Sequence, residues 1–308
     1  MKREDFSWTK FSHENVTMIS RIEAIRKIID QEVGLEPCLP GIAEIEQRYD
    51  ALYHDYIDGK LKHRELYDLA SDLDMDIDKL YSKMRHEWIL ANESTFVALR
   101  KRAQNLTSFD EVQETFEKFA TDEAMLNLMV DLSEEQIDEE RQKIQEQLNA
   151  YRNMVFSYIL TTDEWNDAFV KDILDIIASD LVDPYTINMI VSAVSLSCSV
   201  FMDAPRLAVL MRLIKSDDST CSVRQRALVG FVFSAITNSG EKQKYWDSAA
   251  GLIMNDEFLA ACVDLQRQMR LCLTSKKDSK EMMHSVVKTR SEERRVGKEC
   301  RSRWSPYH

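Results

Sequence analysis

Asp72, Asp74, Asp76 and Asp78 alternate along one short segment, a spacing at which carboxylates could gather around a hard cation. A calcium loop counted from Asp72 also needs glycine at its sixth position and a bidentate glutamate at its twelfth. Ile77 and Lys83 stand there, so the sharp turn and the closing ligand are both missing. The histidines are scattered: His54 and His63 lie nine apart across an expected turn, and His86 precedes Glu87. All three fit solvated helix faces. No C-x-x-C pair occurs, and no histidines stand close enough to the cysteines to make a zinc site. Phosphate-loop, dinucleotide, zincin and nucleophile-elbow strings are absent as well. Paired carboxylates abound because the chain is acidic, which removes their value as an acid/base signal. No catalytic residue, cofactor or metal is expected.

The aspartate segment has a second reading. Leu69-Ala70-x-x-Leu73-x-Met75-x-x-x-x-Leu80 resembles a helix-turn-helix unit within residues 66–88, with Lys79, Lys83 and Arg85 on the DNA-facing helix. Asp74 replaces the usual turn glycine, and Asp72, Asp76 and Asp78 would crowd the phosphates. An ordinary pair of helices is the plainer alternative.

Elements able to position such residues must be helical. Leu, Ala, Glu, Lys, Gln and Met are plentiful, and the 308 residues contain only 7 Gly and 5 Pro, too few for the turns of a sheet protein. The formal charge is −13, which disfavours nonspecific contact with nucleic acid. The stretch from Ile187 to Met202 is the most apolar, yet sixteen residues fall short of the roughly 20 that span a bilayer. It reads as a buried helix. Cys38, Cys198, Cys221, Cys262 and Cys272 read as reduced, mostly buried thiols of a cytoplasmic protein.

Apolar spacing predicts a first helix over His13 to Val33, then shorter ones over Ile42 to Ile57 and Leu61 to Leu73, punctuated by Gly59. A longer helix is predicted from Asp76 or Asp78, and another from Ser108, where Glu111 completes a capping box, through Phe119. Asp122 is expected to cap the next. Ser133 and Gln136 open a helix of about seven turns, in which Ile137, Ile144, Tyr151 and Tyr158 fall seven apart. Beyond Thr162, helices are predicted near Glu164 to Ala178 and from Pro184, Pro205, Val223, Glu241 and Phe258. Asp183-Pro184 and Asp203-Ala204-Pro205 supply cap-then-proline starts.

Asp217 and Asp218, followed by Val223-Arg224-Gln225-Arg226-Ala227, Leu228 and Val232, resemble the second helix of a HEAT-type repeat over about Pro205 to Ile236. The resemblance implies that Val223, Ala227 and Leu228 pack on the preceding helix and that Arg224 pairs with an aspartate of the turn. Similar solenoids are labelled tetratricopeptide-like, but that repeat's aromatic and small-residue pattern is not visible. The tail RSEERRVGKECRSRWSPYH, residues 290–308, resembles a translated sequencing adapter and is set aside as non-native and disordered. It carries six basic and three acidic residues, so without it the formal charge falls from −13 to −16. The expected body therefore ends near Thr289, truncated, and apolar surface near Leu265, Leu271 and Leu273 follows from that ending.

The expectation is an all-α protein: a helical region over 1–130, then antiparallel helix pairs forming a HEAT-like α-solenoid over 131–289. Such solenoids expose extended faces, so the expected role is a non-catalytic scaffold binding a protein or peptide, without membrane or metal. The alternatives are the helix-turn-helix regulator and the helical part of a larger enzyme whose catalytic domain is missing.

Overall fold

The computed structural model describes residues 8–126, 128, 133–163, 165–216, 220–238, 255–272 and 274–275. Among these, all regular structure is helical. The chain divides into two compact units, Met1–Ala250 and Gly251–His308. The first contains α1 (Trp8–Glu14), α2 (Met18–Gln31), a 3-10 turn (Glu36–Cys38), α3 (Leu39–Ile57), α4 (His63–Asn92), α5 (Ser94–Ala103) and α6 (Val112–Leu126). It continues with α7 (Glu134–Thr161), α8 (Asp167–Ala178), α9 (Pro184–Val200), α10 (Ala204–Lys215) and α11 (Cys221–Thr237). In the second unit a helix over 256–272 starts where Asn255 accepts the amide of Phe258 at 3.0 Å. Leu271 on that helix is exposed. Asp217, Asp218, the helix expected from Glu241, Leu273 and the tail 290–308 lie outside the described residues.

Helices α2, α3 and α4 bury Ile22, Ile25 and Ile29 against Ile42, Ile45, Leu73, Ile77, Leu80 and Met84. Phe96, Leu160 and Phe201 extend this core, so residues on both sides of position 130 share it. The predicted first helix is two: the chain breaks after Glu14, and Thr17 caps α2 by accepting the Ser20 amide at 3.2 Å. Gly59, at φ +66°, does end α3.

From there the expectation fails, because one helix of 30 residues spans 63–92 where apolar spacing predicts two with a turn. The aspartates do not break it, since they meet arginines of neighbouring helices: Asp74 pairs with Arg21 of α2, and Asp76 with Arg48 of α3. Without a turn at Asp74 there is no helix-turn-helix unit over 66–88. The start expected at Ser108 is also displaced; its hydroxyl turns to Asp110, and α6 begins at Val112. Asp122, expected to cap the next helix, lies inside α6.

Four consecutive helices then repeat one plan. Helix α8 has 12 residues and α9 has 17; α10 has 12 and α11 has 17. The N-caps Asn166 and Asp203 stand 37 positions apart, as do Asp183 and Thr220, and all four side chains accept an amide three residues on. Burial keeps the same step: Val170, Ile173 and Ile176 correspond to Leu207, Leu210 and Leu213, while Ile190, Ala193 and Val194 correspond to Ala227, Gly230 and Phe231. Helices α5, α7, α9 and α11 touch one another in succession, as do α6, α8 and α10. Arg226 reaches Ser192 at 2.7 Å and Ser199 meets Ser234 at 3.2 Å, so α9 and α11 run parallel.

Helices α9 and α11 approach closely at Gly230, where an added Cβ would strike the Ser195 side chain and lie 3.2 Å from its Cα. Replacing a mid-helix glycine by alanine ordinarily stabilises by about 0.5–1 kcal/mol, whereas forcing a methyl into a packed interface costs about 1–3 kcal/mol. Backbone atoms cannot swing aside, so the second effect wins. Gly230→Ala is expected to lower the free energy of urea unfolding by about 1–2 kcal/mol; a gain in stability would show that the two helices are not held this closely.

Candidate functional site

Below Met84 helix α4 buries one stripe, but Met84 and every residue from His86 to Leu90 are buried, so this last stretch of the helix is enclosed nearly all round. His86 is 2% exposed and Glu87 7%, which corrects the solvated face expected for His86; His54 and His63 do lie on exposed surface. His86 Nδ1 stands 2.9 Å from Asp163 Oδ1, in the turn between α7 and α8, and its ring packs edge-on against Phe201 with centroids 4.2 Å apart. Neither ring nitrogen makes an aligned hydrogen bond. Arg100 of α5 approaches Glu87 Oε2 at 3.1 Å.

A buried arginine holds the far side of this cluster. Arg206, 2% exposed, donates to Ser197 Oγ at 2.8 Å and to the Thr162 carbonyl at 2.6 Å, and pairs with Asp203. Its guanidinium lies 4.8 Å from the Trp165 ring centroid and 5.8 Å from that of Phe201, within cation–π range. Arg152 of α7 has a similar role. It donates to Thr186 Oγ1 at 2.7 Å and to Asp183 Oδ2 at 2.7 Å, tying α7 to the start of α9.

Burial pushes the Asp163 carboxyl upward, but the adjacent His86 imidazole, with the charges of Arg206 and Lys83, outweighs it and holds the group below its ordinary value. Burial likewise pushes the Cys38 thiol up to about 11, with Glu87 adding to the effect, and the Cys198 thiol up to about 12. The cysteines are less uniformly buried than expected: Cys38 and Cys198 are buried, Cys262 is half-buried, and Cys221 and Cys272 are exposed.

The residues that the sequence singles out do not gather at this cluster. Lys79 and Lys83 are exposed on α4, Lys79 paired with Asp76, while Arg85 is half-buried and lies off their line. They do not form one surface. Val223 and Ala227 are buried, Leu228 is half-buried, and Arg224 is exposed, donating to the Ser216 carbonyl in the preceding turn at 3.0 Å. The aspartates expected to receive Arg224 are among the residues not described.

A cleft of about 430 Å³ opens between the turn regions of α8–α9 and α10–α11. Leu174, Ile177 and Ile187 form its apolar lining, with Asp180, Asn188 and Arg212 at polar positions. Among the described residues, no helix is long and apolar enough to cross a membrane. Comparison of the chain with protein-family models, curated proteins and solved structures finds no match.

A carboxyl held low in the folded state adds stability that is complete above the unfolded aspartate value of about 3.9 and is lost as pH falls through the lower folded value. Asp163→Asn should therefore flatten the acid limb of stability measured by urea melts between about pH 2 and 7; an unchanged limb would show that Asp163 is not so held. Brief iodoacetamide treatment near pH 8 should label Cys221 and Cys272 in the folded chain but spare Cys38 and Cys198, read by peptide mass spectrometry. Labelling of all four at similar rates would contradict the burial.

Proposed function

We propose that this chain is a non-catalytic scaffold, an α-solenoid of HEAT-like helix pairs that binds a protein or peptide along its repeated faces. The observation that carries the proposal is the 37-residue recurrence of caps, helix lengths and buried positions through α8–α11. Repeats of this size cannot bury an apolar face alone and do so by stacking, which leaves long surfaces available to partners. The step falls between the 34 residues of tetratricopeptide repeats and the roughly 40–47 of HEAT repeats, and the Val223 to Leu228 pattern favours the latter. Residues 134–147 of α7 are mostly solvated, adding further open helix surface. The five cysteines among the described residues are all free, which fits a reducing compartment such as the cytoplasm.

The cleft between the two repeated pairs is the contact point this reading favours. Its apolar lining can take one hydrophobic side chain of an extended peptide, while Arg212, Asp180 and Asn188 offer a charge and hydrogen bonds to the peptide backbone. Peptides selected from a displayed random library against the chain should lose about tenfold or more in affinity on Ile187→Glu or Arg212→Glu, and keep it on Lys143→Glu, measured by fluorescence anisotropy. Selected peptides that bind all three variants equally, or a library that yields none, would refute the cleft as the binding site.

A further inference from the structure

A buried polar atom without a hydrogen bond usually marks a missing partner, and His86 Nε2 is such an atom, while Nδ1 has only the Asp163 carboxylate beside it at 2.9 Å. Its imidazole is almost wholly removed from solvent, yet neither Nδ1 nor Nε2 makes an aligned hydrogen bond. The nearest polar groups are carboxylates. One ligand atom each from His86, Glu87 and Asp163 lies within 4.8 Å of the other two. Three atoms so spaced enclose a point no more than about 2.8 Å from each, against the roughly 2.0–2.2 Å of zinc–nitrogen and zinc–oxygen bonds. A sub-ångström closure of side chains therefore suffices. At 2.9 Å, His86 Nδ1 and Asp163 Oδ1 stand about 0.5 Å closer than the roughly 3.4 Å between neighbouring ligands on a tetrahedral zinc, so an ion would part them slightly.

We infer that His86, Glu87 and Asp163 form a binding site for a first-row divalent ion such as zinc, which clips the end of α4 to the turn between α7 and α8. One imidazole and two carboxylates suit zinc better than calcium or magnesium, which favour all-oxygen shells. Three protein ligands leave a position for water, and the one-third exposure of Asp163 provides a route in. The surroundings are mixed in charge. Arg100 pairs with Glu87, and Lys83 and Arg206 act on Asp163, so the ion must share Glu87 with Arg100 or displace that half-exposed side chain. The Cys38 thiol feels both carboxylates but stands outside the triad.

The test uses the full chain, freed of metal with a chelator and titrated separately with Co²⁺ and Zn²⁺. One Co²⁺ per chain should bind, with ligand-field absorption in the visible and no sulfur-to-cobalt charge-transfer band, and Zn²⁺ should raise the melting temperature. Asp163→Asn and Glu87→Gln should each weaken binding by about tenfold or more while helical circular dichroism is kept. Asp163 sits in a half-exposed turn, so its variant remains informative even where His86→Asn fails to fold. Absence of stoichiometric uptake, uptake unchanged by both carboxylate variants, or a charge-transfer band revealing cysteine would each overturn the assignment.

Discussion

A guanidinium removed from water must satisfy its donors or cost several kcal/mol, and the arrangement around α8–α10 follows from how Arg206 meets that demand. Its partners come from separate stretches: the Thr162 carbonyl at the end of α7, the Ser197 hydroxyl on α9 and the Asp203 cap of its own helix. Trp165 and Phe201 offer their ring faces to the same charge. Fixing Thr162 also fixes the next residue, Asp163, and with it the group that faces His86. The buried end of α4 is thus organised by a side chain 120 positions further along the chain.

Close packing of α9 on α11 rests on a different economy. Ser192, Ser195 and Ser199 turn their hydroxyls back to carbonyls four residues earlier in α9, and Ser234 does the same in α11. Each hydroxyl is satisfied within its own helix first, and Ser192 and Ser199 then also meet Arg226 and Ser234 of α11, so small polar residues act as spacers between the two helices. Together with Gly230 they set the distance between two helices that would otherwise be held apart by larger apolar side chains.

Much of this is legible in the sequence. The caps at Ser133, Asp183 and Asp203 are readable because cap chemistry is local: one oxygen, one amide and three residues between them. The unbroken α4 is not, because the arginines that pair with Asp74 and Asp76 come from α2 and α3, 53 and 28 residues away. The 37-residue plan is hidden because it is kept in burial and caps while residue identities drift; Ala193 becomes Gly230 and Phe169 becomes Arg206. That last position does carry a signal. Arg206 lies at helical spacing from Leu210 and Leu213, on the apolar stripe of α10, where an arginine must have a partner. His86 gives a weaker sign, the consecutive apolar run Trp88-Ile89-Leu90, which marks a helix enclosed on all sides. Its partner Asp163, 77 residues away, can be found only in three dimensions.

The equal helix lengths of α8–α9 and α10–α11 bear on how such a chain can change over evolutionary time. A duplication or loss of 37 residues returns each buried position to an equivalent one, so the new neighbour meets a surface already shaped to receive it. An insertion of a few residues inside α9 or α11 has no such refuge, because every residue added to a helix turns the stripe by about 100° and would carry buried positions out of register with the neighbouring helix. Growth by whole units is then the low-cost path, and length variation in the lineage of this chain should come in steps rather than as a continuum.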